Sequence, residues 1–143
     1  MAERLKVIVL DDDPTGSQTV HSCPLLLRWD PDTLRQGLAH PSPLLFVLAN
    51  TRALGPNEAH ERVVEICRAL RPLLAEAQAA GAIDRWLVVS RGDSTLRSHF
   101  PVEVEAIEQE LGPFDATLLA PAFLPGGRTT VDGVHLLHGE PVH

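Results

Sequence analysis

Short apolar runs that alternate with helix-period stretches set the narrowest limit on what this chain can fold into. Leu5-Lys6-Val7-Ile8-Val9-Leu10 is rich in branched residues, flanked by charge and too short for a helix, so it reads as a buried strand. Leu44 to Ala49, Trp86 to Ser90 and Ala116 to Ala120 read the same way, and Val134 to Leu137 reads as a sixth strand. Ser22 to Trp29 is a further strand, which Pro24 pushes to a sheet edge because proline cannot donate to a ladder. Between these runs lie helices. Asp30 and Pro31 are the cap and first turn of one that ends near Ala39, before Pro41 and Pro43. Pro56 opens a longer one, with Val63, Ile66, Cys67, Leu70, Leu73, Leu74 and Ala77 along one stripe. Pro72 predicts a kink or a break in it, and Gly81 its end. Pro101 to Leu111 is a short helix whose Glu103, Glu105, Glu108 and Glu110 are expected on a solvated acidic face.

This alternation implies the α/β class: an open, mostly parallel sheet with helices on both faces, in three layers. A length of 143 residues allows one domain with a real core. The last residues, Leu137-His138-Gly139-Glu140-Pro141-Val142-His143, read as a strand leaving into a turn, so residues 1–143 are expected to be a truncated piece of something longer. A net charge of −7 argues against a nucleic-acid binder, which needs a basic face. No apolar run approaches the roughly eighteen residues of a membrane span, and the N-terminus has no signal-peptide pattern. Cys23 and Cys67 match no metal or redox spacing, and two scattered cysteines suit the cytoplasm. The seven histidines form no HxxxH or HExxH pair, so no metal site is expected.

In open α/β sheets ligands bind beyond the carboxyl ends of the strands. Four loops share that edge. They are Asp11-Asp12-Asp13-Pro14-Thr15-Gly16-Ser17, Asn50-Thr51-Arg52, Ser90 to His99, and Pro121-Ala122-Phe123 continuing to Gly126-Gly127-Arg128-Thr129-Thr130-Val131-Asp132-Gly133. Taken singly, each is explained by turns and caps. Together they gather acids, hydroxyls and arginines that a core does not need and that are costly to desolvate without a balancing ligand. Arg52, Arg97 and Arg128 can fork onto a carboxylate or phosphate. Ser94 and Thr95, with N–H groups at the start of the next helix, can add donors to the same anion. For Arg97 the alternative is a salt bridge to a nearby Glu. Asp12 and Asp13 can accept hydrogen bonds from ligand hydroxyls, and one of them can act as a general base or hold a hydrated Mg²⁺; the alternative for the second of the pair is helix or turn capping. His99 and His135 are either acid–base groups or histidines that are packed or solvent-facing.

Neither a P-loop nor a GxGxxG fingerprint is present. Asp11, Asp13 and Thr15 fit the DxDxT spacing of aspartyl-phosphate hydrolases, but Lys6 is the only lysine, and such enzymes need a later one.

The same loops resemble the N-terminal, sugar-acid-binding domain of the four-carbon acid sugar kinases. Asp12-Asp13-Pro14-Thr15-Gly16 matches that family's DDxTG, Asn50-Thr51-Arg52 its NTR, and Arg91 to Ser98 its KxDSTLRG. Pro121 to Gly133 matches its PAFPxxGRTTVDG. Arg91 stands in place of lysine, Ser98 in place of glycine, and Leu124-Pro125 moves the usual proline by one. The resemblance implies an ATP- and Mg²⁺-dependent kinase for threonate, erythronate or 3-oxo-tetronate compounds. In it a second, C-terminal nucleotide-binding domain, absent here, carries most of the ATP site, and a homodimer is among the assemblies allowed. Asp12 and Asp13 would then be catalytic. Asn50, Arg52, Asp93, Ser94, Thr95, Arg97, Arg128 and Thr129 would bind the acid, and the isolated piece would be inactive. Two other readings stand beside this one: a non-catalytic sugar-acid-binding module, and the aspartyl-phosphate hydrolase.

Overall fold

The computed structural model describes residues 2–142. Four parallel strands form the main sheet in the order β2-β3-β1-β4, with β1 at Leu5–Asp11, β2 at Leu25–Leu26, β3 at Leu44–Leu48 and β4 at Arg85–Arg91. The expected α/β class and mostly parallel sheet are therefore present. β2 sits at the edge, as Pro24 requires, but only two of the residues expected in it are extended.

The helices form where their caps direct. In α1, Pro31–Ala39, the Asp30 side chain accepts the Thr33 N–H and Pro31 occupies the first turn. In α2, Pro56–Ala79, the Glu58 carboxylate reaches back to the Gly55 N–H. α2 runs through Pro72 as one helix, so the expected break does not occur. Leu70, Leu73 and Leu74 are buried on either side of Pro72, and this packing holds the helix together where a hydrogen bond is missing. The third helix, α3, is Val102–Leu111.

Alternate residues of the strands decide where the core lies. Ile8 and Leu10 of β1, with Leu45 and Val47 of β3, join Leu34 and Leu38 of α1, Ile66, Leu70 and Leu74 of α2, and Ile107 of α3 in one buried cluster. All three helices thus contribute to a single layer over one face. The opposite face buries Val9 and Phe46 but leaves Leu87 50% and Val89 42% exposed on β4, so the described residues supply no second helical layer there.

Two expectations are corrected further along. Ala116 to Ala120 is not a strand: it pairs with none, and Leu118 is 90% exposed. An apolar run becomes a strand only where a ladder receives it, and none does here. Val134–Leu137 is a strand, but it lies in a separate antiparallel sheet: β5 at Arg128–Val131, β6 at Val134–Leu137 and β7 at Glu140–Pro141.

Candidate functional site

The carboxyl end of β1 joins three loops through the backbone. Ala49 N–H and Asn50 N–H both donate to the Asp11 carbonyl, at 2.9 and 3.1 Å. Arg52 N–H donates to the Asp12 carbonyl at 3.1 Å, and Asp12 N–H to the Arg91 carbonyl at 3.2 Å. The side chains follow that framework. Arg52 forks onto Asp12, with Nε 3.1 Å from Oδ2 and Nη2 2.8 Å from Oδ1. Its Nη1 lies 3.4 Å from Asp13 Oδ2. Such bidentate pairs are among the strongest polar contacts a protein makes. The hydrogen bond to Asp12 raises the proton affinity of the Arg52 guanidinium against the effect of burial.

The three aspartates differ in state. Asp12 is 2% exposed, with both oxygens engaged. Asp13 reaches solvent and accepts from the Thr15 hydroxyl and the Thr15 N–H, and these bonds hold its carboxyl below the ordinary range. Asp11 has no exposed surface. Burial pushes its carboxyl up, against the Asp13 N–H and the charge of Arg91, whose Nη1 stands 3.6 Å away. Asp11 lies directly against Gly16, where an added Cβ would come within 2.2 Å of its oxygens, so only glycine fits there.

The loop after β4 carries a second pair. Asp93 accepts from Arg97 Nε and from the Thr95 hydroxyl. Burial pushes the Asp93 carboxyl up, but these two hydrogen bonds and the Arg97 charge outweigh it and hold the group below its usual range. The salt bridge considered for Arg97 therefore exists, with Asp93 rather than a glutamate as partner. β4 pairs with β1, and the Asp12 N–H on the Arg91 carbonyl sets the start of this loop beside Asp12, two residues before Asp93.

Asp12, Asp13 and Arg52 are thus brought together, and Asp93 and Arg97 pair with one another on the loop after the neighbouring strand. Asn50 adjoins the first group, exposed and with a positive φ of 52°. Ser94 and Thr95 are not at the start of a helix, as the sequence led one to expect. α3 begins at Val102, and residues 93–96 form a turn closed by Leu96 N–H on the Asp93 carbonyl. The Thr95 hydroxyl is spent on Asp93. Arg128 and Thr129 lie on the small sheet, which His135 ties to this loop: its Nε2–H donates to the Ser94 carbonyl, and its Nδ1 faces the Thr130 hydroxyl at 3.0 Å. Arg128 stacks over Phe123 at 5.5 Å and makes none of the contacts to Asp12, Arg52 or Asp93. His99 Nε2 lies 3.1 Å from the Thr51 carbonyl. Both histidines are therefore packed groups, with Nε2 on a backbone carbonyl.

Two glutamates depart from the expected solvated face. Glu103 and Glu110 are 6% and 9% exposed, on the inner side of α3 with Ala106 and Ile107. Glu103 accepts the hydroxyl of Thr51, which is itself fully buried. The signal was their spacing of seven, which puts them on one stripe with those apolar residues.

The aspartyl-phosphate arrangement is not assembled. Asp11 is buried against Gly16, and Lys6 lies at the other end of β1, with its ammonium on the carbonyls of His40 and Ser42 at 2.6 and 2.7 Å.

The family described as "Sugar-binding N-terminal domain" matches residues 7–143. This chain belongs to that family. The resemblance read from the four motifs is borne out. A D-erythronate kinase of Heliobacterium modesticaldum (strain ATCC 51547 / Ice1) is 29% identical over 144 residues, covering 95% of this chain and 30% of the relative. The sugar-binding domain described here thus spans about 30% of the length of the curated relative it matches. Among the described residues no helix is long and apolar enough to cross a membrane.

Proposed function

We propose that this sugar-binding domain is the acid-binding part of an ATP-dependent kinase that phosphorylates a four-carbon sugar acid of the threonate, erythronate or 3-oxo-tetronate type. The observation that carries this reading is the fork of Arg52 on Asp12, with its remaining nitrogen beside the solvent-reaching Asp13, at the end of β1 and next to the strand whose following loop carries the Arg97–Asp93 pair. The name of the D-erythronate kinase relative supports the substrate class.

In this reading the outer nitrogens of Arg97, whose side chain is 68% exposed, fork onto the substrate carboxylate. Arg128 joins them from the small sheet, with Asn50 and Thr129 at the rim. Ser94 supplies its hydroxyl, while Thr95 acts through Asp93. Asp12 fixes Arg52, and Asp13 accepts the hydrogen bond of the attacking hydroxyl. As that oxygen bonds to the γ-phosphorus and the bond to ADP breaks, Asp13 takes the proton.

Among the described residues no group of three or more His, Cys, Asp or Glu side chains is placed to hold a metal ion, and Asp12 has spent both oxygens on Arg52. In this proposal Mg²⁺ and ATP are held by a separate nucleotide-binding domain of the same cytoplasmic protein.

The test is conversion of D-erythronate, threonate and their 3-oxo relatives by the full-length protein with ATP and Mg²⁺, followed as ADP and phosphorylated acid. Turnover that falls at least about a hundredfold in Asp13→Asn supports the proposal. No turnover on any four-carbon acid sinks it. Binding without turnover would assign a non-catalytic sugar-acid-binding module instead.

A further inference from the structure

Thr51 stands between Asn50 and Arg52, yet it faces away from the site. Its hydroxyl donates to Glu103 in the first turn of α3, and its carbonyl accepts from Leu54 N–H at 3.0 Å and faces His99 Nε2 at 3.1 Å. Both ends of this one residue are therefore held by the segment that follows β4. Glu103 is 6% exposed and, among the described residues, forms no salt bridge. Burying a carboxyl group without a cation is unfavourable unless its hydrogen bond secures something else. What this bond secures is the turn that delivers Arg52 to Asp12.

We propose that Glu103 is a positioning residue: through the Thr51 hydroxyl it locks the Asn50–Arg52 turn so that Arg52 keeps its fork on Asp12. Glu103 touches none of the groups that face the ligand. Its effect passes through one hydroxyl and one backbone turn. The consequence for ligand binding rests on the sugar-acid reading above, whereas the locking of the turn does not.

The experiment is residue-resolved amide hydrogen exchange on the described chain, joined to calorimetry with D-erythronate on the full-length protein. The informative amides are Asn50 and Arg52, which donate to the Asp11 and Asp12 carbonyls. In Glu103→Ala and Thr51→Val these two should exchange about tenfold faster while amides of β1 and β3 keep their rates. Glu103→Gln, whose amide oxygen can still accept the Thr51 hydroxyl, should restore protection. D-erythronate should then bind about tenfold more weakly to Thr51→Val and with nearly unchanged affinity to Glu103→Gln.

Unchanged exchange at Asn50 and Arg52, or acceleration shared equally by the central strands, overturns the proposal. So does failure of Glu103→Gln to protect them. If Glu103→Ala does not fold, Thr51→Val and Thr51→Ser carry the comparison, with Thr51→Ser expected to stay protected. Local acceleration in a protein that binds no sugar acid leaves the lock standing and removes only the functional reading.

Discussion

Breaking the fork between Arg52 and Asp12 would leave a carboxylate that is 2% exposed without its hydrogen-bonded cation, with only the Arg91 Nη1 3.7 Å away. Removing one partner of a buried pair costs about 3–5 kcal/mol; Arg52 keeps 20% of its side chain exposed, which places the expected loss for Arg52→Ala near the lower end, about 3 kcal/mol. Urea denaturation measures it. Arg52→Lys should recover only part, because an ammonium cannot form both arms of the fork. Asp93 gives a pH signature. Its folded-state carboxyl lies below the ordinary 3.8, so its contribution is fully present above that value and is lost as pH falls through the lowered one. Melting temperatures taken from about pH 5 to about pH 2 should therefore drop more steeply for the native chain than for Asp93→Asn. The acids and arginines at this scale were legible because each ends an apolar run. Glu103 was not, since a glutamate in a run of glutamates gives no sign of which ones turn inward until the neighbouring Ala106 and Ile107 are counted.

At the scale of elements, the caps were the most readable features. Asp30 with Pro31, and Pro56, begin helices where expected, because a cap is a local bargain between one side chain and one N–H. At Pro72 the helix continues without the break that one of the two expectations named, for the opposite reason: the local cost of proline is outweighed by the buried leucines around it, which are non-local. That cost is still present. Pro72→Ala, at an exposed helical position, should stabilise the chain by about 2 kcal/mol: the roughly 3 kcal/mol helix penalty less the entropy that proline removes from the unfolded chain. Thermal denaturation checks the sign, and a loss of stability would mean the helix gains something specific from proline. Residues 116–120 could not be placed from sequence, because a strand is defined by its partner and the run itself names none.

At the scale of the whole sheet, among the described residues the helices cover one face, while the other is left exposed along β4. The helical layer covers Ile8, Leu45 and Val47 completely, whereas Leu87 and Val89 stand half in water. The mostly parallel sheet could be anticipated from the alternation of elements; the strand order and which face the helices cover depend on packing that the linear pattern does not encode. Phosphoryl transfer needs both substrates held in line, and in the proposed function these residues are assigned to the acid alone. The 143-residue chain, given D-erythronate, ATP and Mg²⁺, should form no ADP, while the full-length protein should; ADP formed by the short chain would show that a nucleotide site lies within it. One further consequence follows from Lys6, the sole lysine, which is buried at the far end of β1 with its ammonium on two carbonyls. The permanent side-chain cations at the strand ends are then all guanidinium groups, which keep their charge well into alkaline solution. Acylating reagents that consume amines would pass these loops by, and dicarbonyl reagents that condense with guanidines would modify them.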